Sequence, residues 1–290
     1  MEILQLAIFG GLTIGVVYAL AGASMVVVYR TSGYVSFAQG DIAAVALFVA
    51  LWTSDQGASY PVVALVTVGV GAVLGGLIGG LIVVPIERFG AIHAVLATIA
   101  VGLIIQGIAN VVVGAQPRAF PSPGENTIAT VGAVNITQAD IISLTASAAI
   151  FIGLGILFTR TRIGVAMRAI SDSSEAANVM GIRSGQLRRL SWVIGGALAG
   201  VAGLFVAPTF ALTPYSVNAF LIFAFCAIVL GGFESVIGAL VAGIAVGIVS
   251  NLVATYLDPN LVSISVYALL LVVLLVRPHG IFGRRPIERV

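Results

Sequence analysis

The sequence contains no lysine and a single cysteine, Cys226, and all of its basic residues are arginines. Without lysine the chain cannot form a P-loop, in which a lysine reaches the nucleotide phosphates, so we expect no ATP hydrolysis by that route. A lone cysteine excludes both an intrachain disulfide framework and a cysteine metal site. Because Cys226 lies in an apolar run, we interpret it as a small core residue.

Charge is also scarce: 8% of the residues are charged, whereas a soluble domain carries about 25%. Hydrophobic residues make up 60% of the chain, and the mean hydropathy is +1.16. This composition predicts a protein of the lipid bilayer. Membrane segments and short connections account for all 290 residues. We therefore predict a single membrane domain, 1–290, with no appended soluble module.

Motifs for catalysis, metal binding and nucleic-acid binding are missing. The sequence holds no HExxH, no GxSxG, no His/Cys cluster and no pattern of basic and aromatic residues typical of a nucleic-acid surface. We therefore expect neither an enzyme nor a nucleic-acid-binding protein, and neither a cofactor nor a metal ion.

The apolar stretches have the length of membrane helices, since a hydrocarbon core of about 30 Å requires about 20 apolar residues in a helix. They predict an all-α polytopic transmembrane helical bundle of eight to nine segments. The candidates are 5–29, 34–53, 60–86, 91–114, 140–159, 190–211, 217–232, 235–256 and 261–277. The stretch 217–232 is short, and it decides between eight and nine.

The arginines predict the orientation, because cytoplasmic loops of membrane proteins are enriched in basic residues. With the N-terminus outside and nine crossings, every arginine except Arg118 faces the cytoplasm, including Arg277 and Arg284 near the end of the chain. Eight crossings would place either the central loop or the tail on the wrong side. We therefore predict that 217–232 crosses, that the N-terminus is outside and that the C-terminus is cytoplasmic.

The central loop, 160–189, is the most polar part of the chain and contains "RAISDSSEAANVMGI" at 168–182. Asp172 or Ser173 can accept a hydrogen bond from the first free amides of a helix, and Glu175 lies where the helix dipole favours negative charge. Gly181 permits a left-handed stop. These signals predict a short helix over 172–181.

That helix has an apolar side. Ala176, Ala177 and Met180 lie at i, i+1 and i+4, which predicts a narrow apolar ridge. A solvated loop would have no need of a cap at each end together with such a ridge.

Polar residues within the predicted spans are energetically costly, and by default they indicate a pathway. Asp41 lies near the cytoplasmic start of the second segment and is either a helix N-cap or part of a pathway. Gln106 and Asn110 share one face of the fourth segment, where they either hydrogen-bond between helices or line a pathway. No segment holds a pair of acidic residues or an arginine near its middle, which counts against an ion-driven carrier.

The chain holds 35 glycines, mostly inside the predicted segments. Small residues at spacings of three and four let helix backbones approach in lipid, so we interpret these glycines as packing positions. The alternative is that glycine-lined interfaces slide during transport.

Four stretches resemble one known family. "GGLTIGVVYALAGASMVVVYRTSGYVSFAQGDIAA" resembles the N-terminal signature of the LivH-type permeases of branched-chain amino acid ABC importers. "IGVAMRAISDSSEAANVMGI" is similar to the cytoplasmic loop of that family, "VLGGFESVIGALVAG" to a late glycine motif, and "LLLVVLLVRPHGIFGRR" to its ending, P-x-G-I-x-G. Ser36 replaces the usual Asn, Asp41 the usual Glu, and Glu234 a usual glycine.

The resemblance implies a permease in the cell membrane that pairs with a second related permease, two cytoplasmic ATPases and an extracytoplasmic binding protein, surrounded by lipid. It leaves open whether the substrate is leucine, isoleucine, valine, another amino acid, an amide or urea. The alternatives are an autonomous secondary carrier and a structural or channel-like membrane protein.

In such an importer the short central helix would dock in a groove of an ATPase. The predicted coupling residues are Arg168, Asp172, Ser173, Glu175, Ala176, Ala177, Met180, Gly181 and Ile182. The predicted pathway residues are Phe37, Gln39, Asp41, Gln106 and Asn110.

Overall fold

The computed structural model describes residues 2–124, 126–131, 134–278 and 280–283. The helices are α1 (Glu2–Ser32), α2 (Gln39–Asp55), α3 (Tyr60–Leu77), α4 (Val84–Ile86), α5 (Ala91–Val112), α6 (Gln138–Arg160), α7 (Arg162–Asp172), α8 (Ser174–Val179), α9 (Ser184–Val206), α10 (Ser216–Gly231), α11 (Val236–Tyr256) and α12 (Val262–Val276). A small antiparallel hairpin joins β1 (Thr127–Val131) to β2 (Val134–Thr137). The predicted all-α bundle is confirmed.

Among the described residues, seven helices are long and apolar enough to cross a membrane. Each of the nine predicted segments coincides with a helix, but α2 and α10 have only 17 and 16 residues. Tyr215, just before α10, bonds to Asn110 near the end of α5, and Phe233, just after α10, stacks on Tyr29 near the end of α1. Since α1 and α5 run in opposite directions, α10 connects the two ends of the bundle. A full membrane crossing by α2 and α10 stays a prediction.

Helices α1 and α9 form the centre of the bundle. Helix α1 packs against α9, α10 and α11, while α9 packs against α2 and α3 as well. Helix α12 lies at the periphery and is almost entirely exposed at its apolar surface, as expected for a lipid-facing helix.

Glycines line the closest helix contacts, as the sequence predicted. On α3, a Cβ at Gly75 would collide with the carbonyl oxygen of Trp192, and a Cβ at Gly71 with that of Gly196 on α9. On α1, a Cβ at Gly15 would lie 2.8 Å from the Cα of Ile244 on α11. Because apolar burial drives no association between helices in lipid, this close backbone approach is the main source of contact energy.

The cytoplasmic end of the third predicted segment is irregular. Helix α3 continues into a π-helical turn, Ile78–Val83, in which the N–H of Val84 donates to the carbonyl of Gly79. Pro85 has no N–H for a regular helical bond, so it favours such a break. A 3-10 turn, Glu87–Phe89, follows. This path brings Glu87 against the start of α9.

Candidate functional site

A pocket of about 300 Å³ lies between α1, α2, α5 and α10. It brings together three of the five predicted pathway residues. We call it the Asp41 pocket, and its lining consists of Met25, Phe37, Asp41, Ile99, Leu103, Gln106, Leu221, Ile222 and Phe225. Apart from Asp41 and Gln106, the wall is apolar.

Asp41 is 3% exposed and lies in the first turn of α2, where the helix dipole stabilises its negative charge. One carboxylate oxygen accepts a hydrogen bond of 2.9 Å from the amide of Gln106, and the other lies against Gly102 of α5. The N-cap position belongs to Ala38, which has no capping side chain, so the N-cap interpretation of Asp41 is wrong. The predicted bond between helices by Gln106 is confirmed. A carboxylate in an apolar wall can bind a charged donor such as an ammonium group.

Phe37 fixes the entry to α2. Its backbone N–H donates to the hydroxyl of Thr98 on α5 over 3.2 Å, and its ring lies 5.8 Å from that of Phe225 on α10. The start of α2 is thereby held between two other helices at the edge of the Asp41 pocket.

Asn110 lies outside the lining of the Asp41 pocket. It is exposed, and its amide donates to the hydroxyl of Tyr215 over 3.2 Å. The bond joins the far end of α5 to the segment before α10, as the interpretation of hydrogen bonding between helices predicted. A pathway role for Asn110 stays a prediction.

Gln39 faces a different part of the interior. It is fully buried, and neither polar atom of its side chain has a hydrogen-bond partner in the described part of the chain. It lines a cavity of about 10 Å³ together with Ser24 and Gly203, a volume that admits about one water molecule. Leu221 lines both this cavity and the Asp41 pocket. The structure therefore separates Gln39 from Asp41. Ser36, a departure from the family pattern, is also buried, and its hydroxyl has no partner among the described residues.

The central loop contains the short helix that the sequence predicted, as α8. Ser173 is its N-cap, with its hydroxyl accepting from the N–H of Ala176 over 3.3 Å, while Asp172 is the last residue of α7. Gly181 has a φ of +83°, and the N–H of Ile182 donates to the carbonyl of Ala177 over 3.0 Å. This bond is typical of a glycine-terminated helix end, so both predicted ends are confirmed.

The predicted apolar ridge is divided between two sides of α8. Ala177 is 4% exposed and packs toward the bundle, so its place on an exposed ridge is corrected by the structure. The exposed apolar face instead combines Ala176 with Met180 and with Val179, which the sequence reasoning missed. The spacing of Val179 from Ala176, three residues, was the available signal. On either side of α8, Arg168 and Glu175 are exposed, and Ile182 is half-buried.

A buried polar cluster beside the central loop was not predicted. Arg188, in the first turns of α9, forms an ion pair of 2.8 Å with Glu87 and donates through Nε to the carbonyl of Thr31 at the end of α1 over 3.2 Å. The hydroxyl of Tyr34 donates to the other oxygen of Glu87 over 2.6 Å. The cluster joins the ends of α1 and the third segment to α9, just after α8.

The sequence also matches a family model, described as "Branched-chain amino acid transport system / permease component", over residues 7–275. The chain belongs to this permease family.

Among its relatives are the high-affinity branched-chain amino acid transport system permease proteins LivH of Escherichia coli and BraD of Pseudomonas aeruginosa. They are 28% and 27% identical to it, each over 97% of this chain and 96% of their own. The probable branched-chain amino acid transport permease protein LivH of Methanocaldococcus jannaschii is 30% identical over 91% of this chain and 88% of its own.

A chain of the solved structure "PsaBC from Streptococcus pneumoniae in complex with Fab" aligns with 96% of this permease at 13% identity and a TM-score of 0.49. That likeness is too weak to carry an argument. The permease is a multi-pass membrane protein of a transport family, not of an enzyme family.

Proposed function

We propose that this permease is one transmembrane subunit of an ATP-driven importer of branched-chain amino acids and has no catalytic activity of its own. The observation that carries the proposal is the family match over residues 7–275, together with relatives that cover 97% of the chain and are named for branched-chain amino acid transport. A more distant relative, 27% identical over 65% of this chain, is named as the fructose import permease protein FruF of Bifidobacterium longum. The substrate class therefore needs a direct test.

In this proposal the Asp41 pocket is half of the translocation pathway. The pocket is open on one side, since Leu103 and Ile222 in its wall are 63% and 46% exposed. A second, related permease would cover this open side and complete the pathway at the interface between the two subunits. Asp41 would meet the ammonium group of the amino acid, and the apolar wall would meet its branched side chain.

Two ATPase subunits would act on the central loop from the cytoplasm, with the N-terminus of the permease outside and its C-terminus inside. The exposed apolar face of α8, formed by Ala176, Val179 and Met180, would enter a groove of one ATPase. An extracytoplasmic binding protein would deliver the substrate. Helix α8 suits this role because it is capped at both ends, and therefore keeps its shape when force is applied.

The test is uptake of leucine by proteoliposomes that hold the full complex, with the binding protein added and ATP inside. The wild-type complex should accumulate leucine only with ATP. Asp41→Ala should weaken the apparent affinity by about tenfold or more, because a hydrogen bond to a charged group contributes about 1.5 to 3 kcal/mol. Asp55→Ala is the matched control, since Asp55 is an exposed carboxylate at the other end of the same helix.

The outcomes separate two claims. An assembled wild-type complex that does not transport leucine, isoleucine or valine would refute the proposed substrate class. Normal leucine affinity in Asp41→Ala would leave the substrate class intact and remove Asp41 from the pathway.

A further inference from the structure

The end of the chain returns to the cytoplasmic end of α10. The N–H of Ile281 donates to the carbonyl of Leu230 over 2.8 Å, and the N–H of Phe282 donates to the carbonyl of Gly231 over 3.1 Å. The last carbonyl groups of a helix have no partner within the helix. The segment 280–283, which we call the tail clip, supplies donors for two of them.

Glycines make this contact possible on both sides. Gly280 and Gly232 have φ values of +77° and +95°, in the left-handed region. A Cβ at Gly280 would lie 2.7 Å from the nitrogen of Gly232, and a Cβ at Gly232 would lie 2.7 Å from the nitrogen of Gly283. The "GG" of the late glycine motif and the "GIFG" of the chain ending thus interlock. Glu234 fits this turn because Gly232 takes the left-handed position, and no described residue other than glycine has a positive φ.

A row of aromatic rings leads from the tail clip to the Asp41 pocket. Phe233 follows Gly232 directly, and its ring centroid lies 5.1 Å from that of Tyr29 and 6.1 Å from that of Phe225. Phe225 in turn lies 5.8 Å from Phe37. Phe225 and Phe37 both line the pocket. The row therefore borders the pocket on the side of the tail clip.

We propose that the tail clip is a positioning element for the pathway: it holds the cytoplasmic end of α10 so that Phe225 stays against Phe37 and closes the Asp41 pocket toward the cytoplasm. The inference rests on the proposed function of that pocket. Gly280 acts through α10 and is a positioning residue. Without the clip the end of α10 gains freedom, the two rings separate and substrate passes without ATP.

The direct test is Gly280→Ala, with Gly114→Ala as the matched control. Gly114 has a φ of +82° and nothing within 4 Å of a Cβ, so alanine there meets the same backbone strain without a collision. The complexes are purified through their ATPase subunits, so that only assembled permease is measured. Two quantities are recorded in proteoliposomes: ATP-independent efflux of entrapped leucine, and leucine imported per ATP hydrolysed.

We expect Gly280→Ala to raise the efflux and lower the transport ratio several-fold, and Gly114→Ala to match the wild type. An assembled Gly280→Ala complex with normal efflux and a normal ratio would overturn the proposal. If Gly280→Ala does not assemble, Ile281→Pro removes only the N–H donor, and Ile281→Val retains it. Assembly of the valine variant but not of the proline variant would show a general folding role and also overturn the proposal.

A substrate-independent measurement keeps this test separate from that of the proposed function. In a Cys226→Ser background, a cysteine in place of Leu103 reports access to the Asp41 pocket. Gly280→Ala should make it react several-fold faster with a water-soluble thiol reagent added from the cytoplasmic side. An unchanged rate contradicts the clip, whereas a wild-type complex that moves no branched-chain amino acid contradicts only the proposed substrate.

Discussion

Removal of the Arg188 guanidinium should destabilise the permease more than the loss of an exposed charge. In Arg188→Met the carboxylate of Glu87, whose side chain is 8% exposed, keeps only the hydrogen bond from Tyr34. Loss of one partner of a buried ion pair costs about 3 to 5 kcal/mol. Because the Arg188 side chain is itself 22% exposed, water screens part of the pair, and we expect about 2 to 3 kcal/mol.

The measurement is the apparent midpoint of thermal unfolding of the purified permease in detergent, at one fixed heating rate because unfolding of such proteins is often irreversible. About 1 kcal/mol lowers the midpoint by about 2 to 4 °C in proteins of roughly this size. Arg188→Met should therefore lower it by about 4 to 12 °C. Arg183→Met, at the exposed N-cap of the same helix, is the control and should change stability by no more than about 0.5 kcal/mol.

The double variant Glu87→Gln with Arg188→Met distinguishes an ion pair from two independent contacts. It leaves no uncompensated buried charge, so it should be clearly more stable than the sum of the single effects predicts. If the two single effects simply add, Glu87 and Arg188 are not coupled, and our account of this cluster is wrong.

Two further predictions concern the membrane topology and the ATPase contact. In a Cys226→Ser background, Ser122→Cys and Arg277→Cys should react with a membrane-impermeant thiol reagent from opposite sides of the membrane; reaction of both from the outside in intact cells would mean that α10 does not cross. Met180→Arg should leave the permease inserted but reduce ATPase association and substrate-stimulated ATP hydrolysis together, because burial of an unpaired charge costs several kcal/mol. Gln186→Arg adds the same charge at an exposed position off the apolar face, and should have no such effect. Normal association in Met180→Arg would exclude α8 from the contact.

Features of the central loop could be predicted because their causes are local. Ser173 caps an amide only three residues away, and Gly181 supplies the left-handed turn within the same short segment. The orientation of Ala177 could not be predicted this way. Which side of α8 faces the bundle depends on how α7 and α9 hold it, so the sequence placed Ala177 on the wrong side.

The candidate pathway shows the same division. A carboxylate and an amide inside apolar segments could be recognised as costly, and Gln106 could be expected to bond between helices. That Asp41 is its partner, and that Gln39, two residues before Asp41, faces a separate cavity, follows only from the packing of α2 between α5 and α9.

By itself the sequence determined the membrane environment, the number of helices and the ends of α8, because hydropathy and capping act over one segment or one turn of chain. Only the tertiary structure decided that Glu87 pairs with Arg188, and that Gly232 receives the chain ending at Gly280. These partners are far apart in sequence. Nothing in either segment specifies the other until close helix packing brings the two backbones within contact distance.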